Sequence, residues 1–272
     1  MTSELRGLAC GAGRRLKGSW RPRRGFVRRG DIPPKPRRGD DLLAIPRLQV
    51  WRFEGTEGRF YVIDGAAFPS TTTIIEVLAK PGLSVWSRRI IIETVRGLVA
   101  NGADIEEALQ LAESEPERRR DTAGLKGAQV HEAIAAALAG DPYPPEMAPW
   151  VEAAQGFLDD FGLQVVAVER VLVNKCFGFA GCCDVVALEA DGRLAVIDWK
   201  TGRYAHLPEA ALQVGAYCLA LQEMTRRPVA AGYVVAVRSG RYEAKQVNLP
   251  RAQEGFLGAL ALWKSLRGGL YD

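Results

Sequence analysis

The chain has 272 residues, 47% of them hydrophobic and 25% charged, a globular composition long enough for one or two domains with a sizeable core. No stretch approaches the ~18–20 apolar residues of a membrane span. Five cysteines argue against a disulfide-built secreted module, and two histidines leave no room for a His-rich zinc site. The net charge of +4 is uneven: residues 1–40 hold 12 Lys+Arg and 3 Asp+Glu, the other 232 residues 24 and 29.

Residues 1–40 run Arg-Arg-Leu-Lys at 14–17, Arg-Pro-Arg-Arg at 21–24 and Pro-Pro-Lys-Pro-Arg-Arg at 33–38. Like charges repel and Pro and Gly break helix and strand, so this reads as a disordered basic tail. Three readings of it stand: a nucleic-acid-binding arm, an Arg-rich targeting peptide, or residues upstream of the native start.

Folded structure is predicted from about Leu48. Residues 48–53 and 59–63 alternate around a Gly-containing turn and predict a β-hairpin. Ser70 is placed to cap a short helix, which Pro81-Gly82 would end. Helices are predicted over 84–99, 104–112, 116–139 and 149–161. Strands follow at 164–173, 182–188 and 194–199, with Asp191-Gly192 as a hairpin turn. A helix over 208–221, strands over 230–237 and 242–247, and a helix over 251–266 complete the chain.

Chemistry concentrates on the paired strands. Asp184 starts one, Asp198 ends the next, and antiparallel pairing would bring the two together. Alternation puts Lys200 on the side of Asp198 and Trp199 on the other. Two carboxylates suit a hard divalent cation, which can activate water and neutralise charge on a phosphate. A lysine there can orient water or stabilise the transition state. An Asp-X-Lys by itself is commonly a solvated charge pair. Gln213 and Tyr217, four apart, share a helix face.

Taken together, Asp184 and Asp198-Trp199-Lys200-Thr201 resemble the core of the PD-(D/E)XK nucleases. Gly127-Ala-Gln-Val-His131 resembles the Gly-X-X-X-His helix, and Gln213-Val-Gly-Ala-Tyr217 the Gln-X-X-X-Tyr motif, of the RecB-like exonuclease branch. Phe68-Pro69-Ser70-Thr-Thr-Thr-Ile-Ile and Lys80-Pro81-Gly82-Leu83-Ser84-Val85-Trp86 are similar to the leader of nucleases related to the mitochondrial genome maintenance exonuclease and its bacterial and phage relatives. The resemblance covers roughly residues 60–221.

The resemblance implies a restriction-endonuclease-like α/β core, a central mixed sheet flanked by helices, over 146–272. An N-terminal hairpin and helical region over 41–145, including the Gly-X-X-X-His helix, would precede it. It implies Mg²⁺ or Mn²⁺ held by His131, Asp184, Asp198 and the Trp199 carbonyl. Catalysis would fall to Lys200, Asp198, Asp184 and Glu169, the last an acid on the first core strand or an ion-pair partner of Arg170 or Lys175. Gln213, Tyr217, Thr201, Ser70 and Thr72 would touch substrate, with Thr71, Lys80 and Trp86 nearby. Ser70 as a cap, Thr201 as a turn residue and Trp86 as core are the structural alternatives. Some relatives hold an iron–sulfur cluster on one cysteine before the core and three after it. Here Cys176, Cys182 and Cys183 lie inside the core and nothing follows Cys218, so no cluster is expected.

The expected function is a metal-dependent DNA exonuclease on single strands or free ends, with replication or recombination proteins as partners and no membrane. The alternatives are an inactive DNA-end-binding module and a structure-specific endonuclease. The expected compartment is the cytoplasm, for a bacterial or phage-encoded protein, with the mitochondrion as a minor alternative. His206 is read as a surface loop residue.

Overall fold

A computed structural model describes residues 45, 48–202 and 207–268. The basic tail over 1–40 and His206 lie outside the described residues. Strands β1 (Val50–Gly55), β2 (Gly58–Ile63) and β3 (Ala66–Pro69) form an antiparallel sheet in that order. The hairpin expected from the alternation is its first pair, with Trp51 opposite Val62 and Phe53 opposite Phe60. β3 was not expected. It pairs with β2 and leads straight into α1 (Thr71–Ile75).

Ser70 caps α1, its Oγ accepting the Thr73 N–H at 3.0 Å. Pro81 does not end that helix. It opens α2 (Pro81–Ala100), because a proline at the first helical position loses no hydrogen bond. The helices α3 (Ile105–Glu113), α4 (Glu115–Leu138) and α5 (Ala148–Asp160) follow. Asp104 caps α3 through the Glu106 and Glu107 N–H groups.

The second sheet runs β4 (Gln164–Asn174), β5 (Phe179–Leu188), β6 (Leu194–Lys200), β7 (Val229–Arg238) and β8 (Arg241–Gln246) in spatial order. The β6–β7 pair is parallel and the other pairs antiparallel, so the sheet is mixed. The parallel step needs a crossover, supplied by α6 (Pro208–Thr225); α7 (Leu249–Arg267) closes the chain.

Two cores sandwich this sheet. On one face α1, α6 and α7 bury Ile74, Val214, Leu221 and Phe256 against Val186, Leu194 and Val196. On the other, α4 and α5 bury Ile134, Phe157 and Leu158 against Val185, Ile197 and Trp199. The alternation on β6 follows the expected period of two, with even positions toward α6 and odd ones toward α5. Among the described residues, no helix is long and apolar enough to cross a membrane.

Candidate active site

The regular alternation breaks within β5. Cys183 packs in the core with α6, whereas Val185, two residues on, packs in the core with α4 and α5. In an unbroken strand these two would face the same side. The switch falls at Asp184, and across the pair from it lies Glu169, between the registered positions Val168↔Val185 and Arg170↔Cys183. Glu169 has φ +48°, a left-handed conformation that a glutamate in mid-strand takes at a cost on the order of 1–3 kcal/mol. β5 begins at Phe179, so Asp184 is not at the strand start, as expected from sequence, but in its middle, at the kink.

The β5–β6 ladder stops at Val185↔Ile197. Beyond it the Asp184 side chain takes over from the backbone: its Oδ2 accepts the Trp199 N–H at 2.7 Å. Its Oδ1 lies 3.4 Å from His131 Nδ1 on α4. One carboxylate is thus oriented by β6 on one oxygen and faces the helix with the other.

α4 comes this close because Gly127 has no side chain. A Cβ there would lie 3.0 Å from Thr201 Oγ1 at the end of β6. His131, one helical turn further along, is thereby brought over the sheet. Trp199 itself faces away, buried edge-on against Phe157 at 5.9 Å.

His131, Glu169 and Asp184 each offer a ligand atom, and these atoms lie within 4.8 Å of one another. Among the described residues this is the one group of three or more such side chains so placed. Two carboxylates and an imidazole fit a divalent cation. Burial of its carboxyl, and after it the negative charge of Asp184, push the Glu169 pKa up to about 7. Cys182, two residues before Asp184 and outside the expected site, adds to this cluster: its Sγ lies 3.3 Å from Glu169 Oε2. Its place beside Asp184 was the one signal that pointed there.

Asp198 and Lys200 form a pair beside this trio. Asp198 is 1% exposed and its carboxylate contacts the Lys200 ammonium. Burial raises the Asp198 pKa, to about 6, against the opposing pull of Lys200. Burial acts to lower the Lys200 pKa, but Asp198 and Asp184 more than offset it and hold it above the ordinary value. The same balance applies to His131, where burial is outweighed by Asp184 and Asp198.

Lys200 Nζ also donates to Gln213 Oε1 at 3.3 Å, and Gln213 Nε2 donates to Tyr217 Oη at 2.7 Å. The ammonium is therefore held from two sides, by β6 and by α6. Tyr217 is buried and packs against Gly181, where a Cβ would sit 2.6 Å from both Tyr217 Cε1 and Thr71 Oγ1. Thr71 Oγ1 donates to the Ala180 carbonyl at 3.2 Å, so α1 and α6 converge on β5 three residues before Asp184.

The remaining expected residues lie further out. Ser70 is buried and its hydroxyl is committed to the α1 cap and to Thr72 Oγ1 at 2.8 Å. Lys80 is exposed at the N-cap of α2, and Trp86 is half-buried on that helix. Arg170 donates to the Ile45 carbonyl and Lys175 pairs with Asp64, so neither pairs with Glu169.

Compared with known families, residues 92–261 match the PD-(D/E)XK nuclease superfamily. No curated protein matches the chain.

Proposed function

The chain belongs to the PD-(D/E)XK nuclease superfamily, and from that premise we propose that it is a metal-dependent exodeoxyribonuclease of the RecB-like branch, acting on single strands or free DNA ends. The observation that carries this reading is the meeting of the His131–Glu169–Asp184 trio with the Asp198–Lys200 pair at one kinked place in the sheet. The Gln213–Tyr217 pair behind the lysine favours the RecB-like branch.

His131, Glu169 and Asp184 would hold Mg²⁺ or Mn²⁺, with Asp198 and the Trp199 carbonyl as further candidate ligands. A bound divalent ion supplies a water of lowered pKa and neutralises charge on the phosphate. The chain's own residues do the rest. Asp184 is fixed by the Trp199 N–H, so the oxygen that faces His131 needs no reorientation. Lys200 stays protonated and presents a fixed positive charge, which stabilises the oxyanion that grows on the phosphorus. Asp198 and Gln213 stop that ammonium from swinging away.

Purified chain with end-labelled single-stranded DNA and Mg²⁺ or Mn²⁺ tests the proposal. Release of labelled nucleotides, abolished in both Asp198→Ala and Lys200→Ala, is expected. No cleavage by the wild type, or undiminished cleavage by both variants, would sink it. Covalently closed single-stranded circles should survive; their digestion would make the enzyme an endonuclease.

A further inference from the structure

The helices that precede the site carry an apolar surface that nothing described covers. Among the described residues, eight of the thirteen exposed large hydrophobic side chains lie between positions 83 and 125. Of the 20 residues of α2, Ile90 alone is buried. Exposed aliphatics concentrated in one small region mark an interaction surface.

The exposed residues are ordered. Val85, Ile92 and Val99, 64%, 50% and 42% exposed, repeat every seven residues along α2, which places them in one line on one helix face. Arg88, Arg89 and Arg96 are exposed on that same face. Val85, Ile92 and the three arginines line a shallow groove, with Glu93 at its margin, paired to Arg89 at 3.7 Å.

The neighbouring helix α3 carries the opposite charge. Ile105 and Leu109 are 49% and 46% exposed and lie one turn apart. Glu106 and Glu113 flank them, Glu107 is exposed close by, and α3 contains no Lys or Arg. One helix is thus an aliphatic line edged with arginine, the other an aliphatic line edged with glutamate. The two helices are joined by a short loop and pack against each other, and each exposes its aliphatic line to solvent.

We propose that this surface docks a second copy of the chain, α2 of each copy lying on α3 of the other. A two-fold contact must be self-complementary, with each patch meeting its counterpart twice, and a basic and an acidic line on one helix pair meet that condition. The groove lining combines aliphatic and charged side chains with no aromatic among them, which favours a protein partner over nucleic acid, since single strands are gripped by aromatic stacking platforms. The proposal does not depend on the nuclease reading.

Sedimentation equilibrium of the full chain over a wide concentration range tests it. The wild type should pass from monomer to dimer with rising concentration, with affinity falling as salt is added. Arg88→Glu/Arg89→Glu/Arg96→Glu should weaken self-association at least about tenfold, close to 1.4 kcal/mol, and Glu106→Lys/Glu107→Lys/Glu113→Lys should do the same. Mixed, the two variants should form a heterodimer, because both contacts then pair opposite charges again. Ile92→Gln, which leaves every charge in place, should weaken the dimer too. All the substituted side chains are exposed, and unchanged melting curves would show that each variant is folded. A wild type that stays monomeric throughout overturns the proposal. So does a dimer indifferent to the charge reversals, or a pair of variants that stay apart on mixing. A monomeric wild type whose arginine variant loses affinity for single-stranded DNA would assign the face to nucleic acid instead.

Discussion

The Trp199 N–H donates to Asp184 Oδ2 at 2.7 Å, so this carboxylate fills a gap in the sheet ladder as well as facing His131. The two roles can be separated. Asp184→Asn keeps an oxygen for the Trp199 N–H and loses the charge; it should fold with nearly unchanged stability and lose hydrolysis by about 10³-fold. Asp184→Ala leaves a buried N–H without a partner and should cost about 1–3 kcal/mol besides. Thermal melts alongside end-labelled DNA digestion distinguish the two.

Lys200 and Gln213 should differ in how they fail. Lys200→Ala removes the positive charge and should lower kcat by about 10²–10³-fold. Gln213→Ala leaves the ammonium held by Asp198 alone; a loss of about tenfold in kcat with KM unchanged is expected, below the ~10²-fold that a displaced group can cost. A rise in KM with kcat intact would instead make Gln213 a substrate contact.

Two glycines near the site predict opposite outcomes. Gly181→Ala drives a methyl into Thr71 and Tyr217, both anchored, and should destabilise the fold by about 1–3 kcal/mol. Gly127→Ala meets the Thr201 hydroxyl at 3.0 Å but gains about 1 kcal/mol of helix propensity. It should melt near the wild-type temperature while losing activity, because α4 and His131 are pushed off the sheet.

Metal and pH should be linked through Glu169. Its folded pKa is raised from 4.5 to about 7, so in the metal-free protein the fold is favoured below pH 4.5, where the group is neutral, and loses that advantage as pH rises through about 7 and the buried carboxyl must ionise. A divalent ion takes the ionised form. The rise in Tm on adding Mn²⁺ should therefore be larger at about pH 8 than at about pH 6, and Glu169→Gln should flatten that difference. Equal shifts at both pH values would remove Glu169 from the ligand set.

What was legible in the sequence was what regular periodicity encodes. The β5–β6 hairpin with its Asp191-Gly192 turn, the facing of Asp198 and Lys200 against Trp199, and the Ser70 cap all follow from alternation or capping chemistry. β3 was missed because four residues ending in Pro69 carry too little pattern. The start of β5 was missed because Ala180 and Gly181 look like turn residues, although Gly181 is small to admit Thr71 and Tyr217. The kink at Glu169 and Asp184 was illegible for a deeper reason: a glutamate in a left-handed conformation is a tertiary outcome, and no local propensity announces it.

The contact between Gly127 and Thr201 has a mechanical consequence. The trio draws His131 from the helix α4 and Glu169 and Asp184 from the sheet, so one ion would add a polar tether between two elements that already share a packed core and the Gly127–Thr201 approach. Loading the site should then slow amide hydrogen exchange along the middle of α4, well beyond the ligands themselves, and chelation should release it.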